Sequence, residues 1–148
     1  MSAFSSIGGH MADIDTNVDL SIPMQPDMEV IATSVAESIG IFMGLDDNKV
    51  DEIKIAIVEA CINAFEHSKS DERRIDVSFS IDKKGLMISI NDGGAGFDMD
   101  EAMAKIAEKR NDGIGNRGWG LTLIHELMDE VSIASTTKGT LVKMLKYR

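Results

Sequence analysis

Glu59-Ala60-Cys61-Ile62-Asn63-Ala64-Phe65-Glu66-His67 is the stretch on which the reading of this chain turns. It closes a helix predicted to start at an N-cap of Asp46 or Asp47 and to run to about His67. Between Ile53 and Phe65 only Lys54, Glu59 and Asn63 are polar, so the helix is expected to be largely buried. Glu59 and Asn63 stand four residues apart and point the same way. A buried carboxylate and amide are costly unless something satisfies them. The pair reads either as a core hydrogen-bond pair or partly solvated helix edge, or as a general base beside an oxygen ligand for a hard cation such as Mg²⁺.

Upstream, Asn17 to Ile22 alternates polar and apolar side chains before Pro23 and Pro26, which predicts a short edge strand and a turn. From Asp27, the apolar residues Val30, Ile31, Val35, Ile39 and Phe42 recur at helical spacing, and Gly44 is placed to end that helix. Downstream, Arg74 to Ile81 and Leu86 to Ile90 predict two antiparallel strands around an Asp82-Lys83-Lys84-Gly85 turn. Asp98 to Asn116 is polar and reads as a mobile loop with a weak helical pattern around Met99 to Ala107. Leu121, Ile124, Leu127 and Met128 mark a third helix from Gly120. Val131 to Ser135 and Thr140 to Leu145 form a last hairpin turning at Lys138-Gly139. The order implies an α+β, two-layer sandwich: a mixed, mostly antiparallel sheet with about three helices on one face.

Two glycine-rich runs interrupt this pattern. Asp92-Gly93-Gly94-Ala95-Gly96-Phe97 follows a strand directly. Its carboxylate is placed to accept from an exocyclic amine, with glycines that let a flat ring approach the backbone, although an ordinary Asp-Gly turn has the same sequence. Gly113-Ile114-Gly115-Asn116-Arg117-Gly118-Trp119-Gly120 leads into the third helix, where backbone amides and the helix dipole make a phosphate cradle. Gly113, Gly115 and Gly118 match the spacing of a dinucleotide fingerprint, but no strand precedes them, and no Walker-type P-loop sequence occurs. Seven of the 13 glycines lie in these two runs, a clustering that turn-making alone does not explain.

Composition narrows the partners. With 148 residues the chain is expected to hold one domain, residues 12–148, after a stretch from Met1 to Met11 that reads as a vector-derived leader. A net charge of −10 argues against direct binding to nucleic acid, which requires clustered Lys and Arg. No apolar run is long enough to cross a bilayer, so no membrane contact is expected. The single Cys61 suits a buried thiol in a reducing, cytoplasmic setting. His67 favours the negative end of its helix and reads as a helix-end cation, and the 10 methionines read as packing.

In order and spacing, Glu59-x-x-x-Asn63, Asp92-x-Gly94-x-Gly96 and Gly118-x-Gly120-Leu121 together resemble the N, G1 and G2 boxes of the gyrase, histidine-kinase and MutL ATPase superfamily, the Bergerat fold. The resemblance covers nearly everything from about residue 16 onward. Glu59 to His67 and Gly120 to Val131 are most similar to the anti-sigma-factor serine kinases of the RsbW and SpoIIAB type. The resemblance implies an ATP/ADP-binding kinase domain in which Asp92 binds the adenine amine, Thr140 supports Asp92, Asn63 holds Mg²⁺ and Glu59 activates the attacking hydroxyl. It implies further that Gly94, Gly96, Gly118, Gly120 and Leu121 shape the nucleotide site, with the Gly118 loop over the phosphates.

Arg117, with Arg110 as its rival, is placed to reach the γ-phosphate or else is an exposed charge; Trp119 packs on that loop or faces a partner. By the same resemblance the chain is an anti-sigma factor and protein serine/threonine kinase. It would phosphorylate a STAS-type anti-anti-sigma protein, otherwise hold a sigma factor, and form a homodimer through a sheet edge and the first helix. Histidine-kinase catalytic domains usually carry an amide where Glu59 stands, and a carboxylate suits transfer to Ser, Thr or water. The rival readings are a nucleotide-gated binding module that transfers no phosphate, and another superfamily ATPase or histidine-kinase catalytic domain.

Overall fold

The computed structural model describes residues 16–68, 71–93, 120–136 and 139–148. They form β1 (Thr16–Pro23), α1 (Glu29–Met43), α2 (Asp47–His67), β2 (Arg74–Ile81), β3 (Gly85–Asn91), α3 (Gly120–Leu127), β4 (Glu130–Thr136) and β5 (Gly139–Tyr147). The strands make one five-stranded sheet in the order β1-β2-β3-β5-β4, and all of its pairings are antiparallel.

Local chemistry sets the ends of these elements. Asp46 is the N-cap of α2, its side chain accepting from the Lys49 amide at 2.9 Å. Asp82 closes the β2–β3 turn by accepting from the amides of Lys84 at 2.8 Å and Gly85 at 3.1 Å. Gly44 ends α1 at φ 77°, a left-handed position where glycine carries no Cβ penalty. Asp27, expected to open that helix, instead sits in the preceding turn at φ 73°, and the helix begins at Glu29 without a side-chain cap.

Alternation along the strands gives the sheet one apolar face. Val18, Leu20 and Ile22 of β1 register with Phe79, Val77 and Ile75 of β2, and Phe79 and Val77 register with Ile88 and Ile90 of β3. These side chains meet Ile53, Ala56, Ile57, Ala60, Cys61 and Ala64 of α2, which lies between α1 and α3. The opposite face carries Asp19, Ser21, Asp76, Ser78 and Ser80.

The two long helices differ in how they meet the core. α1 turns Ala32, Ala36, Ile39 and Gly40 inward, leaving Ile41 71% and Phe42 67% exposed along with Val30 and Ile31. The helices approach closely at Gly40, where a Cβ would stand 2.7 Å from Val50 of α2. On α2 itself, Ile55 and Ile62 face outward, so its outer surface is less buried than its composition suggests.

Candidate functional site

The C-terminal half of α2, the end of β3 and the start of β5 meet at a shallow cleft open to solvent. Ala60, Ala64, Ile90 and Val142 give it an apolar floor. Asn63, His67, Asp92 and Thr140 supply its polar groups. Three elements distant in sequence thus place an amide, an imidazole, a carboxylate and a hydroxyl around one partly apolar cleft.

Asp92 is the most constrained of them, only 2% exposed just beyond the last residue of β3. Its amide donates to the Thr140 carbonyl at 3.1 Å, and its Oδ1 accepts from the Thr140 amide. The Ser68 side chain also hydrogen-bonds the carboxylate. Burial pushes the Asp92 carboxyl above the usual range, and the amide and hydroxyl bonds offset part of that shift. Gly139 permits this geometry, since a Cβ there would stand 2.5 Å from Asp92 Oδ1 and 2.7 Å from the Gly93 Cα. The Thr140 hydroxyl lies 3.3 Å from Ser135 Oγ.

Of the residues singled out from sequence, Asn63, Asp92 and Thr140 converge on the cleft. Glu59 is half-buried one turn N-terminal to Asn63 and is not among the side chains lining it. Gly120 is the first residue of α3 and Leu121 the second; the side chain of Leu121, like Gly94, Gly96, Arg110, Arg117, Gly118 and Trp119, lies outside the described residues. Residues 1–11 and the segment 98–116 lie outside them as well.

Two contributors went unassigned in the sequence. His67, taken for a helix-end cation, also lines the cleft, and its position four residues after Asn63 is the signal that places it there. Ser68 caps the end of α2, its amide donating to the Ala64 carbonyl at 2.9 Å, and so brings its hydroxyl to Asp92. No local sequence signal marks that contact.

An apolar cleft lined by a buried carboxylate suits a flat heteroaromatic ring bearing an exocyclic amine. The histidine kinase-like ATPase domain family matches residues 22–146. The serine-protein kinase RsbW of Bacillus velezensis is 31% identical over 136 residues, which cover 88% of this chain and 84% of that protein. Its Bacillus subtilis counterpart is 29% identical with the same coverage.

Among solved structures, the RsbU and RsbW domains of a Mycobacterium tuberculosis protein superpose with a TM-score of 0.67 at 17% identity, over 89% of this chain and 32% of that one. The SiaB-SiaC complex of Pseudomonas aeruginosa gives 0.54 at 12% identity, over 97% of this chain and 95% of the matched one. Both share the fold of α+β sheet and helices described above. The chain is a member of the histidine kinase-like ATPase domain family and belongs with its RsbW serine-protein kinases.

Proposed function

We propose that the chain is a cytoplasmic protein serine/threonine kinase and anti-sigma factor that binds Mg-ATP in the α2–β3–β5 cleft and phosphorylates a STAS-type anti-anti-sigma protein. The observation that carries this reading is Asp92, a buried carboxylate held by Thr140 and Ser68 in a partly apolar cleft. There the carboxylate accepts from the adenine amine, and Ala60, Ala64, Ile90 and Val142 take up the faces of the ring.

Asn63 stands on the same wall as the side-chain oxygen available to Mg²⁺. Among the described residues no three His, Cys, Asp or Glu side chains converge to hold a metal. That fits Mg²⁺, which takes most of its ligands from phosphate and water rather than from a protein cage. Bound there, the ion would offset charge on the transferring phosphoryl group. Gly94, Gly96, Gly118, Gly120, Leu121 and Arg117 complete the site, Gly120 by offering the backbone amides that open α3 to the phosphates. In the transfer, the substrate hydroxyl oxygen bonds to the γ-phosphorus as the bridging bond to the β-phosphate breaks. Glu59 takes the hydroxyl proton and ADP departs.

The same reading includes a homodimer formed through α1 and the β1 edge. Val30, Ile31, Ile41 and Phe42 expose an apolar surface on α1 of the kind that marks an interface. No helix among the described residues is long and apolar enough to cross a membrane.

The position of Glu59 outside the lining of the cleft favours one rival: a nucleotide-gated binding module that holds its partner without transferring phosphate. Intact-mass analysis of STAS proteins after incubation with Mg-ATP separates the two. A phosphoryl adduct formed by the parent and absent with Glu59→Ala supports the kinase; ATP binding in a calorimeter with no adduct on any partner supports the binding module.

A further inference from the structure

Lys146 is the single basic side chain in the interior among the described residues, 5% exposed on the helix-facing side of β5. Its surroundings are apolar: Leu86 is its partner on β3, and Met144 precedes it on the same face. An ammonium there needs partners, and Nζ has two, Glu52 Oε1 of α2 at 2.6 Å and the Leu127 carbonyl at 2.5 Å. A methionine or leucine would fill the same space, and replacing a buried ion pair by a good apolar fit is often neutral or stabilising. What lysine adds is direction. It sets a cation against the last carbonyl of α3, at the negative end of the helix dipole.

That helix has only eight residues. Ile124 and Met128 hold it by its apolar side, and the Asp129 amide ties the following chain to the Leu145 carbonyl at 2.9 Å. Apolar packing resists separation better than sliding along the helix axis. Lys146 bonds the last carbonyl of the helix, and helical carbonyls point along that axis. From Leu127 to Gly120 the rise is about 10 Å, and a rigid helix carries a displacement at one end to the other.

We infer that Lys146 is a positioning residue for the phosphate end of the nucleotide site: by clamping the C-terminus of α3 to β5 and α2, it fixes where the Gly120 amides lie. The inference rests on the nucleotide reading above. It is distinguishable from a general structural role because the base and the phosphates are held by different elements. Loss of the clamp affects ligands with phosphates and spares those without.

The test is calorimetric titration of the full chain with ATP and with adenosine, comparing the parent with Lys146→Met. The variant is expected to lose about tenfold in ATP affinity, the equivalent of one charge-assisted hydrogen bond, and to bind adenosine within about twofold of the parent. An unchanged ATP-to-adenosine ratio overturns the assignment, whether both affinities fall together or neither moves. If Lys146→Met does not fold, Glu52→Gln loosens the clamp from its exposed side; a selective loss of ATP affinity of about threefold supports the inference and no selective loss overturns it. A parent chain that binds no ATP overturns the nucleotide reading and this inference with it, whereas a parent that binds ATP while both variants keep its ratio overturns this inference alone.

Discussion

At Asp92 function and stability pull apart. Because burial raises this carboxyl, the native state keeps its proton to higher pH than the unfolded chain does. The resulting stabilisation is complete below the ordinary carboxylate range and is lost as pH rises through the native value, so above that value the group burdens the ligand-free fold. Asp92→Asn is therefore expected to melt higher than the parent at pH 7 without ligand while binding ATP more weakly; a melting temperature no higher than the parent's would refute the burden. Gly139→Ala forces a methyl to within contact of Asp92 and Gly93, and urea denaturation should show a loss of roughly 2 kcal/mol. Glu59→Ala should abolish phosphotransfer in the mass assay and leave ATP affinity within about twofold, because Glu59 stands clear of the cleft. Cys61 is fully buried, and burial together with the nearby Glu29 pushes its thiol up to about 12. It should react with a disulfide reagent only after denaturant is added.

Among the elements, α2 and the β2–β3 hairpin were legible in advance because their signals are local. Asp46 caps where an N-cap was expected, and Asp82 to Gly85 turns where a turn was expected. Asp46→Ala should lower unfolding free energy by about 1 kcal/mol in the same denaturation assay. The facing of α1 was not legible. Helical spacing marked Val30, Ile31 and Phe42 without saying which way they face; they are exposed, while Gly40 meets Val50 of α2 too closely for a side chain, and helix separation is a tertiary quantity. The site divides in the same way. Asn63 and Asp92 stood out as polar residues in apolar or glycine-rich settings, while Thr140 was marked only by resemblance to a family. Ser68 and Lys146 acquire their importance from partners 24 and 19 residues away and farther, at Asp92, Leu127 and Glu52, which no window of sequence displays.

For the whole molecule, the unpaired apolar residues of α1 bear on assembly. Each such side chain contributes roughly 1.5–3 kcal/mol when fully buried, so if α1 forms the proposed homodimer interface, Ile41→Ser with Phe42→Ser should shift light-scattering mass from dimer to monomer, and an unchanged dimer mass would refute that interface. The order β1-β2-β3-β5-β4 carries a different consequence. β5 is the last of the described strands to be synthesised, yet it is inserted between β3 and β4 and supplies Thr140 and Val142 to the cleft. A chain still emerging from the ribosome can pair β1, β2 and β3 and pack α1 and α2 on them, but Asp92 lacks the Thr140 backbone until β5 is out. Competence to hold nucleotide is therefore expected only once β5 has been synthesised, and polypeptides interrupted before it are expected to be inert toward ATP rather than partly active.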